Sequence, residues 1–245
     1  MKIIIIRPKN CRWCTHIYNG MKHVVEEAEK TKTPYIDLED GKATKEQIIE
    51  TIKNNPDYNF ISMTGHGSPS KYTAEYEKIV FDTENCEILS NKTVWAHSCL
   101  TGKLLGPAVI EKGGKAYIGF IIEWAWAYTP LPPPMVGFMY EDPYDDPIAK
   151  MFFTSANMVP NAVLHGRTID EAYQASIEEY NHWIDFLFES DIENAGQLIG
   201  LLAVDRDGMI LLKSEQPLLE KPVIIKPLII TSIILFGLTT PLLLK

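Results

Sequence analysis

Two residue types able to carry out acyl transfer stand 33 positions apart: His66 in "FISMTGHGSPS" and Cys99 in "TVWAHSCLTGKLLG". Each closes or follows an apolar run. A thiolate is a strong nucleophile, and an imidazole within reach supplies the base or the stabilising cation. Gly65 and Gly67 bracket the histidine, allow a sharp turn and leave backbone N–H groups open to a substrate oxygen, as an oxyanion site requires. The plainer alternative is a turn histidine and a buried thiol. His97 lies two residues before Cys99, so on a strand it shares that face. A core or crevice imidazole is its simplest role, and a second base is the sharper one.

Three other groups carry reactive side chains. Cys11 and Cys14 form a CxxC, a spacing used by metal and redox sites. Zinc takes four ligands and there is no second such pair, so His16 and His23 would have to complete the set. Two loop thiols, or a redox pair at the active edge, are the other readings. Glu141, Asp142, Asp145 and Asp146 crowd one segment. That is ordinarily a solvated loop; calcium is the one cofactor it would take, without EF-hand spacing, and its charge would attract basic substrates. Glu123, Trp124 and Trp126 follow the apolar run "KAYIGFII". A carboxylate flanked by indoles suits a cationic side chain through an ion pair and ring contacts. An edge glutamate beside core tryptophans serves as well.

Strands and helices alternate around these groups. "KIIII", "TPYIDL", "YNFISMT", "TVWAHSC" and "KAYIGFII" read as strands, and residues 15–30 have helical apolar spacing. Thr44–Gln47 and Thr168–Glu171 look like capping boxes opening helices. Residues 78–89 read as a hairpin around Thr83-Glu84-Asn85. Residues 127–147, rich in proline and acid, form a long loop, and 201–212 read as a strand pair turning at Asp207-Gly208. Gly113-Gly114 ends a helix between the last two of those five strands. Such alternation implies an α/β fold, a mostly parallel sheet with helices on both faces. Ligands then gather at the carboxyl ends of strands, where His66 and Cys99 both fall.

The chain has 245 residues, 46% hydrophobic and 22% charged, with a formal charge of −9. This suits one sizeable domain with an appendage, and the absence of a basic run argues against a nucleic-acid partner. "MKIIIIRPKN" is too short for a secretory segment, so four cysteines read as thiols rather than a disulfide framework. Residues 227–244 are 18 consecutive uncharged positions between Lys226 and Lys245. As a helix they would extend about 27 Å, close to a hydrocarbon core of roughly 30 Å. Pro227 and Pro241 leave a buried helix or strand pair open. The expectation is a domain over 1–221 and a membrane anchor over 222–245. Lys213, Lys221 and Lys226 on the near side would keep the domain in the cytoplasm.

The order apolar strand, His-Gly, apolar strand, Ser-Cys-Leu-Thr-Gly resembles the caspase–gingipain–legumain group of cysteine peptidases, clan CD, nearest its gingipain-like and CHAT-type branches. "GPAVIEKGGKAYIGF" and "GRTIDEAYQASIEEY" extend the similarity over roughly residues 1 to 215, although the caspase pentapeptide is absent. The resemblance implies a caspase–haemoglobinase-like fold and hydrolysis of a polypeptide through a thioester on Cys99. His66 would serve as acid and base, and the amides of Gly67 and Cys99 as the oxyanion hole. Asn10 would orient His66. Glu123, Trp124 and Trp126 would line the substrate pocket and favour Arg or Lys at P1. The rival is an acidic P1 held by Arg7 or Arg12. A homodimer is one assembly open to the chain, and the sequence does not decide it. A catalytically inactive caspase-like signalling module, and a membrane-associated CxxC thiol or metal protein, are the alternative functions.

Overall fold

In the structure, a computed structural model, residues 1–9, 12–133, 135 and 137–214 are described; Arg12 and Trp13 are described as backbone only. The membrane-anchor expectation and Asn10 therefore lie outside the described residues. Among the described residues no helix is long and apolar enough to cross a membrane.

Six strands form the main sheet: β1 (Ile3–Arg7), β2 (Tyr35–Glu39), β3 (Phe60–Thr64), β7 (Thr93–His97), β8 (Ala116–Phe120) and β9 (Met209–Lys213), in the order β2-β1-β3-β7-β8-β9. All neighbours run parallel except β9, which lies antiparallel to β8. The isoleucines of β1 are completely buried because each faces a packed layer. Ile3 and Ile5 join Phe60, Trp95, Ile118 and Phe120 on one face, whereas Ile4 and Ile6 join Ile61, Met63, Val94 and Tyr117 on the other. That double burial explains why these strands read as unbroken apolar runs.

The first face is covered by α1 (Arg12–Lys30), α4 (Ala149–Leu164), α5 (Ile169–Phe188) and α6 (Ala195–Gly208). The opposite face is covered by α2 (Lys45–Asn54) and α3 (Leu105–Glu111). Thr44 caps α2 by accepting from the Gln47 amide. Thr168 and Glu171 complete the reciprocal box at the start of α5.

Two elements differ from expectation. Residues 78–89 are not a hairpin: β6 (Ile79–Asp82) pairs with β5 (Lys71–Thr73), and 86–89 form a 3₁₀ turn. Asp82 accepts from the Glu84 and Asn85 amides at 2.9 Å each, and Asn85 accepts from the Asp82 amide, so the Asx geometry closes the turn before a second strand can form. The expected strand pair at 201–212 is a helix followed by one strand. Leu198, Leu202 and Asp205 recur on the buried face of α6, and only Met209–Lys213 is extended. A short apolar run suits either element until its neighbours are known.

Candidate active site

β3 and β7 are adjacent and parallel, with Thr64 opposite His97. His66 and Cys99 each lie two residues beyond that pair, at the same edge of the sheet. His66 does not end β3 in a simple turn: it opens β4 (His66–Ser68), which forms a three-stranded antiparallel sheet with β5 and β6. The turn into β4 passes through Gly65 at φ +149°, a conformation that L side chains rarely adopt. Buried Tyr72 of β5 donates to the Thr64 carbonyl at 2.6 Å and ties the small sheet to the end of β3.

The Cys99 loop is strapped to the end of β8. The Leu100 amide donates to the Ile122 carbonyl and the Gly102 amide to the Phe120 carbonyl, both at 2.9 Å. Thr101 Oγ1 donates to the Ser98 carbonyl at 3.1 Å. Leu100 takes φ +63°, which costs about 1–2 kcal/mol for a residue with a Cβ. The two loops touch at Gly67, where a Cβ would collide with the Cys99 carbonyl oxygen and Ser98 Oγ.

Cys99 is a free, half-buried thiol whose Sγ donates to the Trp124 carbonyl at 3.7 Å. Burial pushes it up to about 11, and the carboxylates of Glu123 and Asp205 act in the same direction. At neutral pH this is a protonated thiol, so any nucleophilic role would need a base to draw off its proton. His66 is exposed, and its Nε2 lies 3.3 Å from Cys14 Sγ rather than being turned away from the CxxC segment. The contact arises because α1 starts directly after β1, the neighbour of β3 in the sheet. Cys14 is disulfide-bonded, so the four cysteines are not all thiols as expected. Pairing depends on whether two sulfurs meet in space, which the fold decides.

His97 is buried with both ring nitrogens unpartnered, enclosed by Trp95, Phe120, Trp124 and Phe153. Desolvation holds it down at about 3, so it is a neutral core imidazole. Trp124 meets it edge-on at 4.0 Å and donates its indole N–H to Tyr180. Trp126 is half-buried, stacks on Trp124 at 5.2 Å and donates to His16 Nδ1. Glu123 is exposed beside them. Asp205 was not singled out by sequence. It is buried, accepts from the Ala125 amide at 3.3 Å through Oδ1 and leaves Oδ2 unpartnered, and burial raises it well above the carboxylate range. Its burial on α6 carried no sequence signal, because the segment read as strand.

Other expectations are redistributed. Arg7, offered for an acidic P1, is buried and pairs with Asp37 and Glu39 at 2.5 and 2.6 Å, so its guanidinium is already engaged. The four acidic residues do not converge. Asp146 accepts from the amides of Thr129, Ile148 and Ala149 and from Thr129 Oγ1, while Asp142 bonds His23. His16 stacks on Phe138 at 4.1 Å. Neither His16 nor His23 is gathered with Cys14, and among the described residues no cluster could hold zinc or calcium. No protein-family model, no curated protein and no solved structure matches this chain.

Proposed function

We propose that the chain is a cysteine endopeptidase with a caspase–haemoglobinase-like core, in which Cys99 attacks the peptide carbonyl and His66 handles the proton. The observation that carries this reading is the register of β3 and β7, which sets both residues two positions past one paired step on the same sheet edge. His66 would take the thiol proton as the carbonyl is attacked, return it to the leaving amine, then activate water against the thioester. The Gly67 and Cys99 amides belong to the two loops in contact and are the donors assigned to the oxyanion. The resting thiol, held neutral by burial, would be activated only when substrate brings His66 to it, since catalytic hydrogen bonds often tighten in the complex.

Exposed Glu123, rooted on the buried Trp124, is assigned to a cationic P1 side chain. Residues 227–244 carry the membrane tether on their sequence alone. An electrophilic P1-arginine probe should label wild type, and labelling should be lost in Cys99→Ala and fall about 10²–10⁴-fold in His66→Ala. Labelling that survives Cys99→Ala ends the peptidase assignment. A panel of peptides varied at P1 should favour Arg and Lys, and Glu123→Gln should cut that preference roughly 10-fold through kcat/KM; preferential cleavage after Asp would overturn the role of Glu123.

A further inference from the structure

The peptidase reading leaves Cys14 without a task, yet its setting is chemically specific. Cys14 is buried in the first turn of α1 and is disulfide-bonded, whereas Cys86 and Cys99 are free. Its sulfur lies 3.3 Å from His66 Nε2, and no acidic residue occupies the first turn of α1. A helix N-terminus stabilises a thiolate, and an adjacent imidazolium does so more strongly by a charge-assisted hydrogen bond. A disulfide sulfur is neutral and a weak acceptor. The contact with His66 therefore strengthens when the S–S bond opens, which favours Cys14 as the leaving sulfur.

We propose that Cys14 is a thiol–disulfide exchange site served by His66 and open to dithiol reductants. The reductant's thiolate attacks the sulfur joined to Cys14, the S–S bond breaks, and its electron pair passes to Cys14 Sγ. The reductant's second thiol then resolves the mixed disulfide. Two electrons and two protons move to the protein, and the dithiol becomes a disulfide. His66 holds a proton against the released Cys14 thiolate. Resting on the peptidase reading, this pairing competes with Cys99 for the same imidazole, so reduction slows attack by Cys99.

The full chain, equilibrated with dithiothreitol at graded ratios of reduced to oxidised form, is quenched in acid, alkylated and read by peptide mass spectrometry at Cys14. Cys14 should become alkylated while near-ultraviolet dichroism stays native. In the native, reduced protein at pH 7, iodoacetamide should react with Cys14 roughly 10-fold faster than in His66→Gln, reflecting thiolate stabilisation. Reduction only on unfolding, or equal rates in the two proteins, overturns the exchange site. Labelling of Cys99 by the P1-arginine probe should fall as Cys14 is reduced and stay constant in Cys14→Ser. Cys99 labelling indifferent to the state of Cys14 overturns the competition. Exchange at Cys14 with no probe labelling in any state upholds the exchange site and sinks the peptidase reading instead.

Discussion

At Gly67 a single hydrogen stands where any other residue would drive a methyl into the Cys99 carbonyl and Ser98 Oγ. Those are backbone and short-side-chain neighbours, so the Cys99 loop itself would have to move. Gly67→Ala should slow Cys99 labelling by about 10²-fold, as expected when reacting groups shift by about 1 Å, with a smaller change in urea midpoint. A midpoint collapse with unchanged labelling per folded molecule would instead make the glycine purely structural. The glycine pair around His66 was visible in the sequence. Its reason was not: which backbone lies opposite a glycine is settled by chain segments about 30 residues apart.

Between β8 and α4 the described residues form no helix or extended strand apart from a bridge between Pro130 and Phe138. Asp146 is one of the anchors of this segment, beside the bonds of the Ala125 amide to Asp205 and of the Trp126 indole to His16. Asp146 gathers three amides and a hydroxyl, two of the amides at the start of α4, where helix N–H groups otherwise lack partners. Hydrogen bonds to a charged group contribute about 1.5–3 kcal/mol each but are not additive. Asp146→Ala should lower stability by roughly 3 kcal/mol in urea titration and loosen the Trp124–Trp126 segment, seen as faster amide exchange there. A loss below about 0.5 kcal/mol would show the loop is held elsewhere. The acidic cluster was legible as composition; its division into a buried clasp at Asp146 and a histidine partner at Asp142 was not.

Across the whole molecule, acid sensitivity should come from histidines buried as neutral rings. Desolvation is the main cause that holds His97 down at about 3 and His16 at about 4 in the folded chain, below the ordinary imidazole value of 6.5. Below 6.5 the unfolded chain binds more protons than the folded one, so stability is intact above that value and falls as pH drops toward 4 and then 3. His97→Phe should therefore match or exceed wild type at pH 7, by about 1 kcal/mol, and its advantage should widen at about pH 4.5. Equal urea midpoints at both pH values would show that His97 is not protonated on unfolding in that range.

The sequence by itself determined the alternation of strands and helices, the doubly buried character of the central strands, the caps at Thr44 and Thr168, and the placement of His66 and Cys99 at strand ends. Those features follow from local period and turn chemistry, which neighbouring residues set. Only the tertiary structure decided that β3 and β7 are adjacent, that α1 carries Cys14 against His66, and that Arg7 is consumed by Asp37 and Glu39. It also decided that Asp205 sits buried beneath Ala125. Each depends on which strands and helices pack side by side, and burial, partner choice and proton affinity follow from that packing rather than from residue type.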